Sequence, residues 1–183
     1  VAGVKRASSA GDMVRSLAVI LIPLLLITLF FTRNPGDHPV EVVDWQPVLA
    51  QARDEAPYPV LAPVNLPPDW RAVRASWTRT GAADPAGNPS PRNRWQLGFL
   101  DPQDVYVGVY QGDAQVEAFV AEVTRKGALD GTSTVGDDTW ARRVSSDDRT
   151  RALVLQNSKV TSIVVGDVSY AALEAFAATL RTG

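Results

Sequence analysis

The chain has 183 residues, a formal net charge of −2, one histidine and no cysteine. That length allows one domain with a real core, and the charge balance offers nucleic acid little attraction. The missing thiols exclude disulfides, cysteine nucleophiles and thiolate metal sites, so an exported domain would hold itself by packing alone.

Residues 1–15 form a short basic tail with Lys5, Arg6 and Arg15. The run 16–32, SLAVILIPLLLITLFFT, carries no charge. At about 1.5 Å per helical residue it would extend roughly 25 Å, the short end of what crosses a bilayer. Pro23 is tolerated there as a membrane-helix kink. The basic residues before the run place the N-terminus in the cytoplasm and the rest of the chain outside. A cleaved secretory signal is the competing reading, but the small residues of a cleavage site do not follow the apolar core, which runs straight into Phe30-Phe31-Thr32-Arg33. The expected partner of this segment is the lipid bilayer, and the expected location is the cell membrane in a single pass.

Residues 33–39 read as a turn-rich linker holding His38, which alone cannot make a metal site. The expected extracytoplasmic domain is 40–183. One acid and four bases precede residue 34, leaving nineteen acids against fourteen bases beyond it. Arginine outnumbers lysine fifteen to three and the chain opens on Val1. Both fit a GC-rich bacterial frame with a non-AUG start, and trimming also accounts for Val1.

Within the domain, 40–45 reads as a strand and 47–56 as a short helix with proline in its first turn. Residues 58–63 are extended, and Leu66-Pro67-Pro68-Asp69-Trp70 is a rigid turn. Strand 70–80 alternates, with Val73, Ala75 and Trp77 on one face and Arg74, Ser76 and Thr78 on the other. The stretch 81–93 is small, Gly and Pro residues, expected to be a mobile loop. Strand 94–100 resumes with Trp95, Leu97 and Phe99 on one face, and 105–111 reads as a central strand apolar on both faces. Residues 114–126 form an amphipathic helix through Val116, Phe119, Val120 and Val123. Strands follow at 139–144, 151–156 and 159–165, the last two joined at Asn157-Ser158. A final helix capped by Asp167 or Ser169 presents Leu173, Phe176, Ala177 and Leu180. Strand, strand, Gly112-Asp113, helix recurs as strand, strand, Gly166-Asp167, helix. This reads either as two hairpin-plus-helix units or as the chance likeness of amphipathic helices after hairpins. The fold class is α+β, an antiparallel sheet with packed helices in two or three layers, preceded by one transmembrane helix.

In order along the chain, the anchor, Val43-Asp44-Trp45, Leu66-Pro67-Pro68-Asp69-Trp70, Trp95-Gln96-Leu97-Gly98-Phe99 and Gly136-x-x-x-Trp140 resemble the actinobacterial membrane-anchored domain of unknown function 4245 family. The resemblance implies an N-terminal span and an extracytoplasmic domain. It brings no activity and no site residues.

For chemistry, the lone linker histidine excludes a Ser-His-Asp triad, and the glycines are not arranged as a phosphate loop. No catalytic residue, metal ligand or cofactor is expected. Asp137-Asp138 and Asp147-Asp148 offer paired carboxylates, but in turn-like sequence they read as solvated acids. The stretch of most interest is the polar face of the two tryptophan-bearing strands. Arg74, Ser76, Thr78, Arg94 and Gln96 would stand together there, opposite the apolar face, as donors for an anionic or sugar ligand. Gly98 and Gly108 would let a ligand or a covering helix approach the sheet closely. The expected function is a membrane-anchored binding or scaffolding domain of the bacterial cell envelope, with an envelope protein or an anionic or sugar ligand as partner. A carboxylate-dependent envelope hydrolase is the alternative.

Overall fold

The computed structural model describes residues 10–33, 41–83 and 87–182. The chain divides into two compact units, 1–40 and 41–183. In the first, helix α1 (Ala10–Arg33) contains Pro23, and its large apolar side chains from Met13 to Leu29 are exposed. Among the described residues no helix is long and apolar enough to cross a membrane. The side chains of 30–33, which end the expected span, lie outside the described residues. So do Lys5, Arg6 and the linker positions 34–39 with His38.

The second unit is built on a seven-stranded antiparallel sheet. In chain order its strands are β2 (Arg71–Thr78), β3 (Arg94–Leu100), β4 (Tyr106–Gly112), β5 (Ala128–Val135), β6 (Asp138–Val144), β7 (Arg151–Gln156) and β8 (Thr161–Gly166). They lie in the order β2-β3-β4-β8-β7-β6-β5. A separate two-stranded ribbon pairs β1 (Leu61–Pro63) with β9 (Leu180–Thr182). The described helices of this unit are α2 (Gln46–Glu55), α3 (Val116–Val123) and α4 (Tyr170–Ala177).

Alternation decides which residues meet. On one face, Trp95, Leu97 and Phe99 of β3 join Val107, Val109, Leu153 and Val164. Leu49 and Ala52 of α2 and Leu173, Phe176 and Ala177 of α4 cover them. On the other face, Ala152, Val154, Ile163 and Val165 meet Phe119 and Val120 of α3. The architecture is therefore three layers, with α2 and α4 on one side of the sheet and α3 on the other. Both hairpin-plus-helix units exist, β3-β4-α3 and β7-β8-α4, and their helices take opposite faces. Ser169 caps α4 by accepting from the Ala172 backbone N–H at 3.2 Å. Two buried side chains tie the ribbon segment to the sheet. Trp95 Nε1 donates to the Leu61 carbonyl at 2.9 Å, and Gln111, 1% exposed, accepts from the Leu61 N–H at 2.7 Å.

Several expectations are corrected. Residues 41–45 are not a strand: only the Val43 N–H reaches β2, at the Ala72 carbonyl, and the chain turns into α2. Val73 does not join the apolar face. The β2–β3 register shifts between Ala72 and Arg74, so Ala72 takes the core position opposite Phe99 and Val73 is the extra residue of a bulge. The described part of loop 81–93 makes its own backbone pairing and buries two side chains. Ala83 bridges Pro89, the Ser90 and Gly81 backbones bond across it, and Ser90 and Arg92 are buried; residues 84–86 lie outside the described residues. β5 was not expected as a strand, because an edge strand needs no apolar alternation and its sequence, ALDGTSTV, has little. Leu180 is buried as expected but opens β9 instead of extending the last helix.

Candidate functional site

α3 is eight residues long and covers only part of its face. Beyond it, the face carries Arg94, Gln96 and Gly98 of β3 opposite Gly112, Tyr110 and Gly108 of β4. The strand expected to be apolar on both sides thus presents Tyr106, Gly108 and Tyr110 here. The space above the glycines is not open for a ligand or a helix. The Tyr106 ring lies over Gly98, where a Cβ would overlap its Oη, Cζ and Cε2, and it limits Gly108 in the same way.

The ring atoms build a polar floor. Gln96 Nε2 donates to Tyr110 Oη at 3.2 Å, and the Tyr106 and Tyr110 hydroxyls lie 3.1 Å apart. Burial, and then the neighbouring Tyr106 hydroxyl, push the Tyr110 phenol well above its ordinary range, so it stays an O–H donor. With Gln96 donating into the pair and one hydroxyl donating to the other, one O–H remains to face outward.

A groove of about 960 Å³ lies over this floor. One wall is the end of α3 with Glu122 and Arg125; the opposite wall is the turns carrying Asp104 and Asp148. Of the five residues picked from the sequence, Arg74, Arg94 and Gln96 line the groove. Ser76 and Thr78 share their face but stand on β2 opposite Gln96 and Arg94, outside the groove. Arg74 is exposed, with no hydrogen bond or ion pair to any described residue. Arg94 is not the free surface residue expected: its side chain is 28% exposed, and Nη1 lies 2.6 Å from Glu122 Oε1. Gln96 is buried.

Sequence reasoning missed Arg92 and Glu122. Arg92 lay in the presumed loop; it is 5% exposed, donates from Nη2 to Gln115 Oε1 at 3.0 Å and packs over the Phe119 ring. Burial pushes its guanidinium pKa down, and Glu122 opposes this. Tyr106-x-Gly108-x-Tyr110 was visible as a pattern, since hairpin pairing sets it against Arg94-x-Gln96-x-Gly98.

Three of the four acids lining the groove pair with arginines: Asp104 with Arg71, Glu122 with Arg94, and Asp167 with Arg149 at 3.5 Å. Asp137-Asp138 and Asp147-Asp148 sit at opposite ends of β6 and share no site. Asp147 accepts from Ser145 and from the Arg149 N–H, and those bonds hold its carboxyl below the usual range. Among the described residues no group of three or more His, Cys, Asp or Glu could hold a metal. A second groove of about 530 Å³ lies between α2 and the Leu66-Pro67-Pro68 turn, walled by Trp45 and Trp70.

The family described as "Protein of unknown function (DUF4245)" matches residues 5–180. The chain belongs to this family. No curated protein matches it. Among solved structures, this DUF4245 chain is similar to MucB in the crystal structure of MucB in complex with MucA(peri). The identity is 20%, the TM-score 0.38, and the match covers 67% of this chain and 36% of that one. It is also similar to a chain of the complex structure of Pseudomonas aeruginosa MucA/MucB, at 19% identity, TM-score 0.38, and 68% and 36% coverage. The DUF4245 chain spans about a third of the length of those chains.

Gly98→Ala is expected to force the Tyr106 ring aside and to cost about 1–3 kcal/mol in a denaturant titration, the range for overpacking. In a Tyr106→Ala background the same substitution should cost much less. Equal losses in both backgrounds would show that the ring does not occupy the space over Gly98.

Proposed function

We propose that this chain is a membrane-anchored, extracytoplasmic binding domain of the bacterial cell envelope, and that it takes an anionic ligand in the groove beside α3. The observation that carries the reading is Arg74, an exposed guanidinium with no acid partner among the described residues, beside a floor of hydrogen-bonded Gln96, Tyr106 and Tyr110. Sugars without charge need acceptors as well as donors. A groove that offers arginine donors, with three of its four carboxylates paired to arginines, suits an acceptor-rich anion better.

The anchor is supported by the uncharged run 16–32, by the basic residues before it and by the exposed apolar side chains of α1 from Met13 to Leu29. The full chain is expected to remain in membranes after alkaline washing, with external protease removing the domain. A released mature form lacking 16–32 would contradict the anchor.

For the groove, Arg74→Ala should weaken binding of an anionic probe by roughly 1.5–3 kcal/mol, the worth of a charge-assisted contact. Its melting temperature should hardly move. Arg94→Ala should weaken binding too, with a small loss of stability of up to about 1 kcal/mol from the broken pair with half-exposed Glu122. Unchanged binding by Arg74→Ala, measured by calorimetry, would remove the groove as the site.

A further inference from the structure

Glu122 stands in the last turn of α3, the end where the helix dipole disfavours a carboxylate. Two arginines hold it there. Arg94 Nη1 lies 2.6 Å from Glu122 Oε1, and Arg92 Nη1 lies 3.6 Å from Oε2. The cations are fixed by packing, with their guanidinium carbons 5.0 Å and 5.8 Å from the centre of the Phe119 ring. Their Nε atoms are buried with no hydrogen-bond partner. The Glu122 side chain, by contrast, is 51% exposed. One half-exposed acid is shared by two immobilised cations, while Arg74 and Arg125 add positive charge along the same groove. The carboxylate is the replaceable member of the cluster.

Resting on the reading of the groove as an anion site, we propose that Glu122 is a resident counter-ion, displaced when an oxyanion of the ligand binds Arg94. The group that replaces it is a phosphate or a carboxylate, because the guanidinium already meets a two-oxygen anion at that point. Glu122 also sets selectivity. A tethered carboxylate competes at high effective concentration, so a small lone anion displaces it poorly. A ligand with a second anionic group that reaches Arg74 gains a contact Glu122 cannot make.

The test uses the full chain in detergent, with pyrophosphate and citrate as phosphate and carboxylate probes, read by calorimetry. Glu122→Gln removes the competing charge and is expected to tighten both probes roughly tenfold, the equivalent of one charge-assisted contact. The probe that gains more affinity identifies the source chemistry. Glu117→Gln makes the same charge change near the start of α3, and should leave both affinities nearly unchanged. Arg74→Ala separates the two claims. If it binds like the parent, the groove reading fails. If it weakens binding while Glu122→Gln binds no tighter, the counter-ion proposal alone is overturned. A readout on the parent chain guards against a variant that fails to fold. The carboxyl carbon resonance of Glu122 should move as either probe saturates, and an unmoved resonance at saturation overturns the proposal.

Discussion

The rest of the domain depends on the two-residue period of β3. Trp95, Leu97 and Phe99, at 0%, 0% and 3% exposure, must point to one side, so Arg94, Gln96 and Gly98 must point to the other. A slip of one residue would exchange the two sets, which fixes the register against β2 and β4. From the apolar side the packing spreads outward. Phe99 meets Trp45 and Trp70 edge-on at 6.0 Å and 6.4 Å, and Trp70 stacks on Phe176 of α4 at 5.4 Å. Each fully buried Leu or Phe of that side contributes roughly 1.5–3 kcal/mol. The half-exposed pair of Arg94 and Glu122 contributes up to about 1 kcal/mol. The larger core therefore lies on one face; the other keeps a smaller cluster under α3 around Phe119 and Ile163, and is polar beyond it.

The two faces are covered unequally. α2, α4 and the β1–β9 ribbon belong to the apolar side, with Leu49, Ala62, Leu173 and Leu180 all in one cluster. The polar side has α3, and the chain enters and leaves that helix through left-handed residues. Gln115 precedes it at φ 53°, and Arg125 and Lys126 follow at 54° and 57°. The helix start has no side-chain cap, but its end is closed by the Lys126 N–H bonding the Ala121 carbonyl at 2.7 Å, and Phe119 and Val120 hold it to the sheet. Where α3 stops, Tyr106 lies over Gly98 and Gly108, and the groove begins.

Most of this organisation was legible in the sequence. The Trp-x-Leu-x-Phe run of β3 fixed its faces, and Val116, Phe119, Val120 and Val123 marked α3 by their helical spacing. Three of the five polar residues chosen on the open face line the groove. What was hidden is instructive. Val73 follows the alternation perfectly, yet a bulge takes it out of the core, and bulges leave no mark in a period-two pattern. Arg92 sits in a stretch of Gly, Pro and Ser that reads as loop, but it is buried because Phe119 and Glu122 arrive from a distant helix. Gly98 and Gly108 announced a close approach without naming what approaches. The answer was an aromatic side chain of the paired strand, only two residues from Gly108 in the chain. Glu122 had no signal at all, since its significance comes from contacts across the face of the sheet.

The central claim is that the face carrying Gln96, Tyr106 and Tyr110 is where this protein meets its ligand. Residue-resolved amide shift mapping of an isotopically labelled fragment of residues 41–183, titrated with pyrophosphate and with citrate, tests it most directly. Saturable shifts are expected to cluster at Arg74, Gln96, Tyr106 and Tyr110, with Trp45, Leu66 and Trp70 undisturbed. Shifts centred instead on the Trp45–Trp70 groove, or no saturable shift with either probe, would contradict it.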